Sequence, residues 1–367
     1  MTRKIKVKSP GRINLIGEHI DYNGGHVLPA AIDLNINFCL ERNLTKFCNI
    51  ESVGFGKFSF DINELKIEST QWKNYLVGVV QEIKKVNNNV EGFDCKIESK
   101  IPSGAGISSS AALECGLAVG LNKLFKLNLD KIDIVRICRN AEHNFVGTKC
   151  GIMDQFSVVF GKKNKLIFLN CKTLNYNLIN AVFDPYSIIL LNTNVSHNLA
   201  ESEYNKRRQQ CETALKLINL KSYNFKDICD IPLKTLKTLK NKLEMELFEK
   251  VEYVVLENQR TIDAAKSIEN RDLETFGKLM YESHLGLSEK YKVSCKELDF
   301  LVKLFEKDQN VIGSRMMGGG FGGSTINLVK TSYVKKFLEI ATNEYLKSFK
   351  RSLSSIVTSV SNGVEIQ

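Results

Sequence analysis

The sequence predicts a mixed α/β protein made of two closely packed halves that divide between residues 182 and 198. Runs of β-forming residues alternate with helical patterns in the first half. The stretch from residue 231 to residue 304 is almost wholly helical in pattern, and no repeat or low-complexity linker interrupts the chain. The 367 residues, 43% hydrophobic and 25% charged, suffice for two domains, which we assign to residues 1–185 and 186–367.

Each predicted element rests on a local pattern. Clusters of β-forming residues predict strands at 4–8, 34–42, 93–99, 166–170, 187–192, 325–329 and 355–361. Apolar residues recur every three or four positions and predict helices at 72–86, 111–125, 132–145, 202–217 and 332–349, with residues 299–305 closing the long helical region.

Composition excludes several classes of protein. The net charge is +10, but forty lysines against eleven arginines are spread among acidic residues and asparagines, which favours a solvated surface over a nucleic-acid interface. No run of about 18 apolar residues occurs, and no apolar segment follows the basic amino terminus, so we expect a soluble, cytoplasmic protein without membrane contact. The ten scattered cysteines lack metal-like spacing, which predicts reduced and mostly buried thiols.

A glycine-rich turn at residues 102–107 leads directly into a helical pattern that begins with three serines, Ser108, Ser109 and Ser110. Glycines allow close backbone approach, and the free N–H groups of a helix start attract anions, so this segment predicts a phosphate site. It matches neither the P-loop pattern nor the dinucleotide pattern. The alternative is an ordinary loop that turns and caps a helix.

The segment of residues 11–25 is dense in polar side chains between glycines. Glu18, His19 and Asp21 place two carboxylates and a switchable donor within four positions, a pattern suited to binding several hydroxyls of a sugar. The alternative is a polar turn before the next strand. Arg12 either stabilises a phosphoryl group or forms a salt bridge with a carboxylate.

Two further polar segments complete the pattern. Residues 151–155 follow a predicted helix that carries Glu142, and they place Asp154 between apolar neighbours as a candidate base. Residues 318–323 contain five glycines, which indicates either close approach to a ligand or tight backbone packing.

Together these segments resemble the three motifs of the GHMP small-molecule kinases, and the first is similar to the motif of the galactokinase group. The resemblance extends over essentially the whole chain. It implies a two-domain GHMP kinase fold, with an amino-terminal domain like ribosomal S5 domain 2, a carboxy-terminal domain that contains a ferredoxin-like unit, and the active site between them. It also implies a monomer that phosphorylates the anomeric hydroxyl of D-galactose with Mg·ATP.

Residue roles follow from the same resemblance. The residues implied to contact galactose are Glu18, His19, Ile20, Asp21, Gly151 and Tyr204. Those implied to contact ATP are Ser52, Gly104, Ala105, Gly106, Ile107, Ser108, Ser109 and Ser110. Ser110 and Glu142 are the implied magnesium ligands. Asp154 and Arg12 are the implied catalytic pair, with Asp154 acting either as general base or as an orienting group.

Departures from the family pattern leave alternatives open. Met317 replaces a small hydroxyl residue, Ser324 stands where cysteine is frequent, and Ile20 also occurs in kinases for 2-acetamido sugars. Residues 23–25 nevertheless resemble the galactose-specific bacterial form. The rivals are a kinase for N-acetylgalactosamine or another sugar, and a catalytically silent galactose and ATP sensor. The intact Ser110 argues against the sensor.

Overall fold

The computed structural model describes residues 4–102, 104–195, 200–221 and 223–367, with the backbone alone at residues 200 and 201. The predicted mixture of helices and strands is confirmed. Within the described ranges the strands are β1 Ile5–Asn14, β2 His26–Val27, β3 Pro29–Arg42, β4 Phe47–Ser52, β5 Gly56–Asp61, β6 Phe93–Ser99, β7 Lys165–Asn170, β8 Tyr176–Asn180, β9 Tyr186–Asn192, β10 Val311–Met317, β11 Ser324–Lys330, β12 Ser354–Thr358 and β13 Glu365–Ile366.

The α-helices of the same ranges are α1 Gln71–Val86, α2 Ser109–Phe125, α3 Lys131–Ala141, α4 Met153–Phe160, α5 Ala200–Asn219, α6 Leu233–Leu239, α7 Met245–Glu269, α8 Leu273–Leu285, α9 Lys296–Phe305 and α10 Val334–Phe349. None of these helices is long and apolar enough to cross a membrane.

Three sheets organise the strands. A six-stranded sheet has the order β13-β1-β3-β6-β4-β5, a four-stranded sheet the order β10-β11-β9-β12, and a three-stranded sheet the order β2-β7-β8. The strand β13 pairs with β1, so the last described residues rejoin the first sheet. Among the described residues the larger of two core clusters contains buried side chains from early and late parts of the chain, such as Ile13 and Met316, so these parts pack closely together. The boundary at residue 185 stays a prediction.

An irregularity in β1 positions the amino-terminal segment. The pairing of β1 with β3 shifts register between Pro10 and Arg12. At the intervening Gly11, a Cβ atom would lie 2.9 Å from the carbonyl oxygen of Ile107, so only glycine allows this approach. The Arg12 N–H donates to the same carbonyl at 3.0 Å, which places the phosphate-loop candidate beside the end of β1.

Helix α2 begins in that loop and packs across β1 and β3. Gly116 and Gly120 face the side chains of Phe38 and Leu40, where an added Cβ would approach to 2.2 Å and 2.7 Å. The serine-rich helix start is therefore held on the sheet that carries Arg12.

The ten cysteines are all free, as predicted, but only five are buried and the other five are half-buried, so the expectation of mostly buried thiols holds for half of them. The predicted helix at 132–145 is shorter than expected, because α3 ends at Ala141 and a π-helical turn, Glu142–Val146, follows it. This turn directs Glu142 inward, to 7% exposure.

Candidate active site

Two cavities lie beside the three glycine-containing segments, and hydrogen bonds from Arg12 to Gly106 and from Ser108 to Asp154 link their walls. The polar cavity is lined by Arg12, Glu18, His19, Asp21, Glu142, Thr148, Cys150, Gly151, Met153, Asp154, Tyr204, Gly318 and Gly319. The loop cavity is lined by Ile36, Ser52, Phe55, Trp72, Tyr75, Ile97, Ser99, Ile101, Pro102, residues 104–110 and Leu113. The structure thus brings together residues that lie far apart in the sequence, such as Arg12 and Gly319.

Arg12 and Asp154 form a bidentate pair in the polar cavity. Arg12 Nε donates to Asp154 Oδ1 at 2.7 Å, and Nη2 donates to Oδ2 at 2.9 Å. Burial alone would lower the pKa of Arg12, but the Asp154 carboxylate raises it above its ordinary value. Arg12 is therefore a permanent cation that holds the Asp154 carboxylate in place. The Asp154 side chain remains 26% exposed.

The same two residues are tied to the glycine-rich loop. Arg12 Nη1 donates to the carbonyl oxygen of Gly106 at 2.7 Å. The Ser108 hydroxyl donates to Asp154 Oδ2 in a very short hydrogen bond. Ser108 adopts left-handed backbone angles, φ 54° and ψ 55°, which a serine holds only at some cost. This loop is thus fixed directly to the acid–cation pair.

Glu18 is 2% exposed and anchors the third glycine run. Its Oε1 accepts a hydrogen bond from the Gly318 N–H at 2.8 Å and lies 3.2 Å from Arg315 Nη2. Tight backbone packing, one of the two alternatives for the glycine run, is confirmed at Gly320, and close approach to a ligand stays a prediction for the glycines on the cavity. Gly318 and Gly319 line the polar cavity, whereas a Cβ at Gly320 would lie 2.1 Å from a backbone oxygen and only glycine fits there.

His19 belongs to a directional hydrogen-bond chain. Its Nε2 lies 3.1 Å from the Gly319 carbonyl oxygen, which can only accept, so this nitrogen carries the proton. Its Nδ1 then accepts from the Tyr22 hydroxyl at 2.8 Å, and Tyr22 in turn accepts from Tyr291 at 2.8 Å. Burial lowers the pKa of His19 to about 3, so it stays neutral near pH 7 and is not the switchable donor that its residue type suggests.

Asp21 and Gly151 fit together sterically. A Cβ atom on Gly151 would lie 1.9 Å from Asp21 Oδ2, so any side chain there would displace the carboxylate. Burial, together with the nearby Asp154 charge, raises the pKa of Asp21 to about 7. Asp21 therefore changes its charge within the physiological range.

Tyr204, Ile20 and Met317 differ in whether their side chains line the polar cavity or lie in the core. Tyr204 lines the polar cavity, and its ring lies 5.1 Å from that of His19. Ile20 is fully buried in the core and does not line either cavity, because it packs beneath Gly25. Met317 is likewise 1% exposed and part of the core, so its side chain is not a wall of the polar cavity.

Comparisons with known proteins agree with this geometry. The family model for the galactokinase galactose-binding signature matches residues 2–42, and those for the GHMP kinases N terminal and C terminal domains match residues 74–162 and 264–347. A curated galactokinase of Clostridium acetobutylicum is 41% identical over 97% of this chain and 93% of its own length. One from Thermosipho africanus is 41% identical over 94% and 95% of the two chains. The chain belongs to the galactokinase family.

Solved structures support the same assignment. The crystal structure of Lactococcus lactis galactokinase complexed with galactose matches 99% of this chain and 95% of that chain, with a TM-score of 0.96 and 33% identity. The mevalonate kinase of Methanococcus jannaschii shares the fold, with a TM-score of 0.69 at 19% identity. The predicted GHMP kinase fold is confirmed, and as a galactokinase-family member the chain is an ATP-dependent sugar kinase.

The family's expected magnesium ligands lie on the two cavities. Ser110 lies in the first turn of α2 on the loop cavity, and Glu142 lines the polar cavity. Gln155 links Glu142 to the fully buried Glu114, with its Nε2 at 2.8 Å from Glu142 Oε2 and 3.4 Å from a Glu114 oxygen. Burial raises the pKa of Glu114 well above its ordinary value, and the Glu142 charge adds to the shift. Hydroxyl and carboxylate oxygens are the hard ligands that Mg²⁺ prefers, so the residue types at Ser110 and Glu142 are compatible with the ion.

Other residues of this galactokinase-family site were missed from the sequence. Phe55, Trp72 and Tyr75 form a largely aromatic wall of the loop cavity beside the buried Ser52, with the Phe55 and Trp72 ring centres 6.0 Å apart. The helical pattern around Trp72 was visible, but aromatic residues on a helix usually indicate packing. Arg315 gave no local signal, because its partner Glu18 lies almost 300 positions away.

Proposed function

We propose that this kinase transfers the γ-phosphoryl group of ATP to the anomeric hydroxyl of D-galactose and releases galactose 1-phosphate and ADP. The observation that carries the proposal is the bidentate pair of Arg12 and Asp154. It stands in the polar cavity and is hydrogen-bonded to the loop that lines the other cavity. A carboxylate at one cavity and an anion-binding loop at the next are what an acceptor hydroxyl and a phosphoryl donor require.

The sugar occupies the polar cavity in this proposal. Asp21, Glu18 and the backbone at Gly151 accept and donate hydrogen bonds to the ring hydroxyls, and Tyr204 covers one side of the ring. His19 is neutral and has both ring nitrogens engaged, so it shapes the cavity wall and orients Tyr22. Ile20 supports this loop from the core.

Asp154 accepts a hydrogen bond from the anomeric hydroxyl and receives its proton as the new oxygen–phosphorus bond forms. Arg12 keeps this carboxylate in place through two hydrogen bonds and offsets negative charge that develops on the transferring group. A bidentate guanidinium performs both tasks better than an ammonium group, because it has paired donors in fixed geometry.

ATP occupies the loop cavity. The backbone N–H groups of residues 104–110 and the start of α2 face the phosphates, while Phe55, Trp72 and Tyr75 offer an aromatic surface to the adenine. Ser110 and Glu142 would hold Mg²⁺, which when bound neutralises charge on the phosphate oxygens.

The test is ADP release by the purified protein with Mg·ATP and, separately, galactose, N-acetylgalactosamine, glucose, arabinose or mevalonate, with product identification by NMR. Galactose 1-phosphate as the dominant product supports the proposal. Preferred turnover of another sugar would overturn the substrate assignment and keep the kinase. Binding of galactose and ATP without turnover would identify a sensor.

A further inference from the structure

Arg315 is the largest fully buried side chain of the described molecule, and it lies on β10 with 0% exposure. Its Nη1 donates to the Asn14 carbonyl oxygen at 2.9 Å. Its Nε has no hydrogen-bond partner in the described part of the chain, and its Nη2 reaches Glu18 Oε1 at 3.2 Å as an ion pair. The guanidinium is therefore buried with far fewer partners than its five N–H groups require.

This arrangement is a poor choice for stability alone. Taking a cation out of water costs several kcal/mol, and a well-packed apolar side chain of similar volume is often as stable or more stable than a buried ion pair. The neighbouring Asn14 is also fully buried, and neither atom of its side-chain amide has a hydrogen-bond partner in the described structure. Several polar atoms of this buried cluster lack hydrogen-bond partners, which indicates that the cluster serves a purpose other than folding stability.

The contacts of Glu18 indicate what this buried cluster does. Two groups from the carboxy-terminal half converge on one of its oxygens, Oε1: the Gly318 N–H donates a hydrogen bond to it, and Arg315 Nη2 lies 3.2 Å from it as an ion pair. Glu18 also lines the polar cavity. Burying a carboxylate to 2% exposure is costly unless a cation and a hydrogen-bond donor lie beside it, and these partners also fix its rotation.

We propose that Arg315 is a positioning residue for the acceptor sugar: it orients the Glu18 carboxylate, so that Oε2 accepts a hydrogen bond from a sugar hydroxyl. Because Nη1 also binds the backbone of Asn14, the same side chain fixes the end of β1, two residues beyond Arg12. The inference rests on the proposed sugar site, but it concerns how that site is assembled from both halves of the chain.

The experiment is a double-variant comparison of Arg315→Met, Glu18→Gln and the two combined. Removing an outer partner of a ligand-binding group typically costs about 10- to 100-fold, so we expect Arg315→Met to raise the KM for galactose by that factor. The KM for ATP should change by less than about 3-fold. In the Glu18→Gln background, Arg315→Met should add less than about 3-fold to the KM for galactose, because the carboxylate that it serves has gone.

Rescue by the conservative variant separates positioning from a merely structural role. Arg315→Lys retains the positive charge but lacks the planar guanidinium, so its KM for galactose should lie between the values of wild type and Arg315→Met. The combined variant removes both buried charges, so it should unfold at a higher temperature than Arg315→Met.

Arg42→Met is the matched control. Arg42 donates to the Leu124 carbonyl oxygen at 3.3 Å and lies over the Phe125 ring, away from both cavities. Its loss should affect stability without affecting the KM for galactose.

Equal effects of Arg315→Met in the wild-type and Glu18→Gln backgrounds, or equal increases in both KM values, would overturn the inference. Failure of the proposed function is distinguishable, because wild-type protein would then prefer another sugar. The same comparison would be made with that sugar.

Discussion

The fit between Gly151 and Asp21 provides the sharpest test of the sugar site. In Gly151→Ala the new Cβ would lie 1.9 Å from Asp21 Oδ2 and 2.1 Å from its Cγ. Ordinary contact begins near 3.4 Å, so the carboxylate must retreat by about 1.5 Å. A misplacement of about 1 Å at a positioning group costs on the order of 100-fold, or about 2.7 kcal/mol of transition-state stabilisation.

We therefore expect the kcat/KM for galactose to fall about 100-fold in Gly151→Ala, with little change in the KM for ATP. The unfolding temperature should hardly change, because the obstructed atoms are the end of a short side chain that can rotate away. The assay is initial-rate ADP formation against galactose concentration, with thermal unfolding measured on the same preparation. A normal kcat/KM for galactose would refute the reasoning.

Gly147→Ala is the reciprocal control in the same connecting segment. No atom lies within 4 Å of a Cβ built there, but its φ of 96° is unfavourable for alanine and should cost about 1–2 kcal/mol of stability. We expect it to lower the unfolding temperature without changing galactose kinetics. In an Asp21→Ala background, Gly151→Ala should add little, because the obstructing carboxylate is absent.

Three further predictions concern the acid–cation pair and its neighbours. Asp154→Asn or Arg12→Ala should lower kcat at least about 100-fold in the ADP assay with circular dichroism unchanged, and near-normal turnover would remove both from the mechanism. The pKa of Asp21 is about 7 in the folded protein against an ordinary 3.8, so the folded state keeps a proton that the unfolded chain loses. The free energy of unfolding without substrates should therefore fall as pH rises from about 4 to 7, and urea titrations of Asp21→Asn should lack this slope. Ser108→Ala should lower kcat about 10-fold through lost orientation of Asp154, whereas Ser109→Ala should act mainly on the KM for ATP; identical kinetics of the two would contradict a special role for Ser108.

The sequence was sufficient where a local pattern decides local structure. The strand β6 was predicted at its observed bounds, Phe93–Ser99, because apolar and polar residues alternate regularly along it. The strands β4 and β5 were missed, since they are short, mix polar with apolar residues and are joined by a glycine turn at the sheet edge. The strand β10 was missed because a glycine and an arginine interrupt its apolar run.

In the candidate site, too, the features that depend on local residue types could be predicted, and those that depend on distant residues could not. Local residue types predicted functional roles for Asp154 and Glu18. The family resemblance supplied Arg12 as the partner of Asp154, but Arg315, the partner of Glu18, was missed. The lowered pKa of His19 could not be predicted, because it results from burial among residues that lie far apart in the sequence. The fit of Asp21 against Gly151 depends on a distance between loops that no sequence spacing encodes.

The connection between the cavities explains why the glycine-rich loop carries a strained serine. At φ 54° Ser108 directs its hydroxyl to Asp154, and one residue earlier in the same turn the backbone of Ile107 accepts from the Arg12 N–H. Arg12 also binds the Gly106 carbonyl, so the loop that lines one cavity contacts both members of the pair in the other. A displacement of this loop by phosphate groups would therefore be transmitted to Asp154 through three hydrogen bonds. Glycine at position 108 would relieve the backbone strain but remove one of these connections, which is a physical reason for serine at this position.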